Sequence, residues 1–259
     1  MDGRAARGIV AIGVGGVLVF GVVGCGVADA EGAPVERKSF AVVGKELTVD
    51  VDDSDVTLVP AGDGDQMKVS RQVDGWAVVG GGPDPQWRME DGRLILRTNC
   101  DGFVGDCDSR HTVEIPRGIA VTVDHDNGKV NASAFDTPLR ISSDNGDVTV
   151  RGTTGDLRLS TSNGDIRLED VGSREVSVKS DNGKVRVRMK TAAEKLETVT
   201  DNGDIVVELP SAGAPYAVNS NADNGSRKIR LSDAEQDDSS PRKVRVESNN
   251  GDVTVRLKG

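Results

Sequence analysis

Seven Asn-Gly pairs punctuate the second half of this chain, at 127–128, 145–146, 163–164, 182–183, 202–203, 224–225 and 250–251. Successive pairs are 18, 18, 19, 20, 22 and 26 residues apart. A period of that size is the mark of a repeat architecture, and it limits the folds open to the chain more than any other feature.

Aligning the repeats exposes columns. Six residues before each Asn stand Val121, Leu139, Leu157, Val176, Leu196, Val218 and Val244. Four residues after each Gly stand Ala132, Val150, Leu168, Val187, Val207, Ile229 and Val255. Polar residues fill most positions between. Apolar and polar residues therefore alternate on both sides of each turn, which predicts strand, turn, strand, with the apolar set facing inward. A meander of hairpins joined by type I′ turns fits this pattern, as does a parallel β-solenoid with one coil per repeat. The solenoid is the better fit, because in-register stacking places like residues on top of one another and so rewards columns. The expected fold is all-β: a parallel β-solenoid of about seven Asn-Gly-cornered coils over 120–259, preceded by an irregular β region over 39–119.

Composition agrees with a thin aliphatic interior. Hydrophobic residues make up 36% and aromatics 3%. Net charge is -10, so a phosphate backbone would be repelled and nucleic acid is not an expected partner.

At the corners, Asn127, Asn145, Asn163, Asn182, Asn202, Asn224 and Asn250, with Gly128, Gly146, Gly164, Gly183, Gly203, Gly225 and Gly251, read as structural residues. Both types accept φ > 0 cheaply, and stacked Asn side chains can hydrogen-bond up the column. Asp126, Asp144, Asp181, Asp201 and Asp223 precede Asn, and Asp147, Asp165, Asp204 and Asp252 follow Gly. The alternative for this acidic corner is a calcium ridge. Lys129 and Lys184 in the column after Gly oppose it, so no metal site and no cofactor is expected.

Upstream, 54–59 imitates the half-repeat after Asn-Gly, so the solenoid can begin there. Asp91-Gly92 reads as a hairpin turn. The stretch 75–83 reads as a long mobile loop, with Trp76 plugging the open solenoid end or exposed for binding. The best short helix candidate is 191–195, and 232–242 reads as a solvated acidic loop. His111 and His125 are the two histidines. His125 occupies the Ser/Thr column of the corner and reads as a member of it. A surface such as Asp147, Arg167 and Arg186 could mimic a polysaccharide lyase, the enzymatic alternative, but it reads as an exposed ladder of alternating charge.

The N-terminus opens with Arg4 and Arg7, continues through an uncharged apolar run from Gly8 to Val23, and ends in Val22-Val23-Gly24-Cys25. This resembles the lipobox of bacterial lipoprotein signal peptides. The resemblance implies that 1–24 is removed, that Cys25 is lipidated, and that 25–38 is a tether to a membrane. An uncleaved anchor helix is the competing reading. The remaining cysteines, Cys100 and Cys107, then lie outside the cytoplasm, where a disulfide is expected.

The recurring Ser/Thr-Asp-Asn-Gly-Asp-Val-x-Val, seen over 143–150 and in variant form over 248–255, resembles the bacterial family called "putative adhesin". It is a β-solenoid family of unknown function, here in lipoprotein form. The likeness covers about 120–259 strongly and 39–119 loosely. It implies a non-catalytic cell-surface scaffold with an unknown protein or cell-wall partner, and it names no catalytic residues. Arg227, where the inner column expects Val, and the 26-residue last step depart from the pattern.

Overall fold

The computed structural model describes residues 28–258 apart from 81, 100, 101 and 213. Cys25 and Cys100 therefore lie outside the described residues. The N-terminal part contains β1 (Glu36–Ala41), β2 (Glu46–Asp53), β3 (Asp55–Pro60), β4 (Gln66–Gly80), β5 (Asp84–Glu90), β6 (Arg93–Asn99) and β7 (Gly102–Ile115). Seven strand pairs follow: β8 (Ala120–Asn127) with β9 (Val130–Ser133), β10 (Leu139–Asn145) with β11 (Val148–Arg151), and β12 (Leu157–Asn163) with β13 (Ile166–Val171). Next come β14 (Glu175–Asn182) with β15 (Val185–Met189), β16 (Lys195–Asn202) with β17 (Ile205–Leu209), β18 (Ala217–Asn224) with β19 (Arg227–Arg230), and β20 (Lys243–Asn250) with β21 (Val253–Leu257).

In each pair an Asn-Gly corner hands the chain from one sheet to the other. Among the described residues the strands form two sheets, of eleven and ten strands, and every repeat contributes one strand to each. Coils stack parallel and in register: Leu139 pairs with Leu157, Leu157 with Val176, and Val176 with Leu196. The apolar columns point between the sheets, where Ile141, Val150, Leu168, Val187 and Val207 are essentially inaccessible. Burying such side chains contributes roughly 1.5–3 kcal/mol each. The chain is thus a two-sheet parallel solenoid, all-β as the alternation predicts.

The coils do not stack in chain order at the C-terminal end. Strands β20 and β21 pair with β16 and β17, and the β18–β19 coil lies outside them. The last-but-one repeat is therefore the terminal coil in space. This explains the departures at its inner positions. Arg227 is exposed and donates from Nη1 to Ser220 Oγ at 3.3 Å, so a polar pair covers the open end of the apolar interior. Terminal repeats of a solenoid need such a polar outer face. The long step before the last repeat is the return path over the end. In it, Asp233–Glu235 forms a short 3-10 turn, and the Glu235 carbonyl accepts the amide of the buried Tyr216 at 2.9 Å.

The other end is closed differently. The β2–β3 coil stacks on β8–β9, with Asp53-Ser54-Asp55 as its corner, so the solenoid begins before the first Asn-Gly pair. Strands β6 and β7 add one more parallel layer, and β5, β4 and β1 then pair antiparallel. Asp91 and Gly92 turn the β5–β6 hairpin with φ of 47° and 76°.

Four expectations are corrected here. Residues up to Gly80 of the expected mobile loop 75–83 belong to β4, which pairs along β7 as far as Gly102. The Trp on this end of the core is Trp87, stacked under Arg71 at 4.1 Å, while Trp76 sits half-buried opposite Asp106. Residues 191–194 of the expected short helix 191–195 are a bend that carries the chain from β15 in one sheet to β16 in the other, too short for helical turns of its own, and Lys195 opens β16. The expected tether also differs from 28 onward. Ala30 is fully buried, Ala28 and Ala30 donate their amides to Asp106 and Asp108 at 3.0 Å, and β1 forms six backbone pairs with β4.

Candidate functional site

The corner carries the repeated polar chemistry. Asn145 donates from Nδ2 to Asn127 Oδ1 at 3.1 Å, Asn163 to Asn145 at 2.9 Å, Asn182 to Asn163 at 3.1 Å, and Asn202 to Asn182 at 2.9 Å. Asn250 continues the series to Asn202, and Asn224 to Asn250, both at 3.0 Å. Asn127 ends it on Asp53 Oδ1 at 2.6 Å. The order of rungs follows the coils in space, so Asn250 precedes Asn224.

The two corner residues divide the work in a way the sequence does not disclose. Among the described residues, positive φ outside glycine occurs at Asp91, Ala134 and Asp170, so no corner Asn adopts it. Asn serves the ladder. Gly serves close approach: Gly183 has a φ of 151°, and a Cβ there would overlap the carbonyl oxygen of Gly164 in the coil below. Gly128, Gly164, Gly203 and Gly251 also have positive φ, whereas Gly146 and Gly225 are required by contact with the neighbouring corner alone.

The acidic corner residues are engaged as well. Asp55 Oδ1 accepts the amide of Lys129 at 2.8 Å, Asp147 that of Asp165 at 2.9 Å, and Asp165 that of Lys184 at 2.8 Å. Asp204 accepts from Asp252 at 3.0 Å, and Asp252 from Ser226 at 2.8 Å. The Ser226 amide and the Lys228 ammonium hold the Asp252 carboxyl below the usual range. Asp147 is thus tied to the corner backbone and does not form a constellation with Arg167 and Arg186. Among the described residues no group of three or more His, Cys, Asp or Glu is arranged to hold a metal ion.

Both histidines are inside the corner. His125 is buried, with Nε2 donating to Ser54 O at 2.9 Å and Nδ1 accepting from Ser143 Oγ at 3.2 Å. It stands in the column of Ser143, Thr161, Ser180, Thr200 and Ser248, all buried. Ser248 donates to the Gly203 carbonyl at 2.9 Å, and Thr161 and Thr200 to the Gly146 and Gly183 carbonyls at 3.5 Å. His111 is also buried, with Nδ1 at 2.6 Å from Ser54 Oγ. The Ser54 hydroxyl proton goes to Ser109 O at 3.0 Å, which assigns the Nδ1 proton to His111. Nε2 is buried without a hydrogen-bond partner. Burial, together with the nearby Arg71 cation, lowers the His111 pKa to about 4. Cys107 sits half-buried on β7, opposite Gly75.

The outer faces of the two sheets differ. On the ten-stranded sheet a shallow groove of about 460 Å³ runs between mixed charges, including Glu46, Arg140, Asp156, Arg158, Glu175 and Lys195. On the eleven-stranded sheet, Arg151, Arg167, Arg186, Arg188, Arg256, Lys228 and Arg230 point outward, accompanied by Glu169 and Glu208. Glu208 bridges cations on the two neighbouring coils, and Glu169 joins Arg151 of the neighbouring coil to Arg167 of its own strand. Glu169 lies 2.6 Å from Arg151 and Arg167, and Glu208 pairs with Arg188 at 2.9 Å and with Arg256. Arg hydrogen bonds hold both carboxyls below the usual range, from Arg167 and then Arg151 at Glu169 and chiefly from Arg188 at Glu208. A groove of about 320 Å³ runs between these side chains.

Solved structures with a similar arrangement include a putative cell adhesion protein from Clostridium sporogenes, 11% identical with a TM-score of 0.33, covering 87% of this chain and 100% of its own. A putative adhesin from Bacteroides fragilis is 15% identical with a TM-score of 0.48, covering 87% and 97%. One from Parabacteroides distasonis is 11% identical with a TM-score of 0.35, covering 86% and 98%. No curated protein matches the sequence. The sequence model of the family described as Toastrack DUF4097 matches residues 110–258, which include all seven Asn-Gly corners, and the chain belongs to that family.

Proposed function

We propose that this protein is a non-catalytic, lipid-anchored protein of the bacterial cell surface that acts as an adhesin-like or envelope-associated binding scaffold. One observation carries the reading: the repeated polar residues of the corner bond coil to coil, and what the stack presents outward is two long sheet faces with side chains in rows. Such an architecture displays a surface. His111 and His125 support a non-catalytic role, since both are buried in the corner and engaged with Ser54.

In this reading Cys25 is the first mature residue and carries the lipid, and Cys100 and Cys107 close a disulfide. The basic start, the apolar run and Val22-Val23-Gly24-Cys25 support the anchor. Ala28 is already docked on Asp106, so two residues, Gly26 and Val27, separate the lipidated Cys25 from the folded unit. The three Cα-to-Cα steps from Cys25 to Ala28 span about 10 Å at most, which would hold the solenoid close to the membrane.

Metabolic labelling with a radioactive fatty acid tests the anchor, and protease accessibility on intact cells tests the location. Cys25→Ser should abolish labelling and leave an unprocessed precursor. A chain that stays protease-protected in intact cells and released by lysis into the cytosolic fraction would overturn the proposal.

A further inference from the structure

The outer face of the eleven-stranded sheet is basic although the chain as a whole is acidic. From β11 to β19 it presents seven cations and three carboxylates, Glu169, Glu208 and the exposed Asp170, an excess of four positive charges on a protein of net charge -10. Part of the compensating acid lies along the corner, where Asp147, Asp165 and Asp204 bind backbone amides. Charge is therefore segregated between an edge and a face. Segregation of this kind steers and holds an oppositely charged partner.

The arrangement within the face is more specific than its sum. Arg167 and Arg186 are in-register neighbours on adjacent coils, separated by the inter-strand spacing of about 4.8 Å. Two guanidinium groups side by side repel each other, and Glu169 compensates Arg167. Arg186 is exposed and has no ion-pair partner among the described residues, and the same holds for Arg230. The Arg-lined groove runs beside Arg186, across successive coils. A trough with cations recurring along its length suits a linear polyanion lying along the solenoid axis. A flat membrane would touch the rims and leave the trough unfilled. Guanidinium forks match phosphate oxygens in a two-point geometry, and several weak contacts on one chain add through effective concentration.

From this geometry we infer that the Arg167–Arg186 trough is a docking site for a linear polyphosphate polymer, held by the local excess of cations against the longer-range repulsion of a net charge of -10, which salt screens. The inference deepens the scaffold reading and rests on it, because a surface-displayed sheet face is open to a polymer of the envelope.

The full-length chain in detergent is titrated with inorganic polyphosphate at low and moderate salt, with poly-glutamate and free phosphate as comparison ligands. The double variant Arg167→Glu/Arg186→Glu changes exposed positions and leaves the core intact. The variant Arg140→Glu/Arg158→Glu makes the same charge change on the opposite sheet. The expected result is salt-sensitive polyphosphate binding, weakened at least tenfold by the first variant and less than twofold by the second, with poly-glutamate and free phosphate binding far more weakly. Equal losses in both variants would overturn the site, as would absence of polyphosphate binding by the parent chain. Tighter binding of poly-glutamate would replace the polymer with an acidic protein segment. Surface location is measured separately, so a surface-exposed chain that ignores polyphosphate refutes this inference alone.

Discussion

Asn202 donates from Nδ2 to Oδ1 of Asn182 across 2.9 Å, and Asn182 makes the equivalent bond to Asn163. Each interior Asn is donor to one coil and acceptor from the next. Asn182→Ala therefore removes two ladder bonds and a longer one to Ser162 O, whereas Asn224→Ala, at the terminal coil, removes one ladder bond to Asn250 and a longer one to Asn249 O. A solvent-exposed hydrogen bond contributes about 0.5–1.5 kcal/mol. Thermal unfolding should show a loss of about 2 kcal/mol for Asn182→Ala and about half that for Asn224→Ala. Equal effects would mean that the ladder does not act as linked rungs.

The glycines should be far less tolerant. Gly183→Ala adds a methyl where the Gly164 carbonyl already stands, at a φ of 151° that L-residues avoid. A loss on the order of 3 kcal/mol is expected. Gly152 also has positive φ, at 60°, but nothing lies within 4 Å of a Cβ there. Gly152→Ala should cost only about 1 kcal/mol. Similar denaturation midpoints for the two variants would show that the corner relaxes freely.

The contrast between these glycines also marks what the sequence reveals. Leu139, Leu157, Val176 and Leu196 are legible as one column because parallel in-register stacking demands the same side chain at the same place. Arg227 breaks its column for the same physical reason, since its coil has a neighbour on one side only. What does not follow from the pattern is the placement of β20–β21 inside β18–β19. Alternation reports the two faces of a strand and is silent about which strand lies beside it. The antiparallel pairing of β1, β4 and β5 is hidden likewise, and the Gly-rich stretch around Gly75 imitates a loop. The basic face was half legible. Arg167 and Arg186 read as a charge ladder, but the alternation lies one column over, in Arg151, Glu169, Arg188, Glu208 and Arg256.

His111 makes stability depend on pH. Its folded pKa is about 4 against an ordinary value of 6.5. The unfolded chain therefore binds a proton that the folded chain refuses across that interval. Stability is full above pH 6.5 and declines as pH falls toward 4, by about 3 kcal/mol at most. His111→Gln keeps a donor for Ser54 without titrating. Urea midpoints measured from pH 7.5 to 4 should fall steeply for the parent and more gently for the variant. Parallel curves would remove His111 as the cause.

Cys107 has two possible partners in the sequence, Cys25 and Cys100. The docking of Ala28 on Asp106 brings the chain after Cys25 near Cys107. The surface reading requires Cys25 for lipid, so Cys100 must take Cys107. Closing that short loop stabilises by about 2–3 kcal/mol. Non-reducing peptide mapping of the processed protein should recover one species linking 100 to 107. A peptide linking 25 to 107 would refute both this pairing and the lipid anchor.

The last prediction concerns calcium at the acidic corner. A calcium ion takes six to eight oxygen ligands at about 2.3–2.6 Å. Asp147, Asp165, Asp204 and Asp252 each already accept a backbone amide from the adjacent coil. Moving one of these carboxylates onto an ion would strip that amide of its partner. Lys129 and Lys184 stand in the same column as these Asp residues, at the corners of the β8–β9 and β14–β15 coils. Binding would thus have to offset lost corner bonds as well as cation repulsion. Thermal unfolding of the full chain should shift by less than about 1 °C between millimolar calcium and chelator. A micromolar site would add about 4 kcal/mol at thousandfold excess and raise the midpoint by several degrees. A rise of that size, abolished by Asp165→Asn/Asp204→Asn, would turn the corner from a structural seam into a metal-binding ridge.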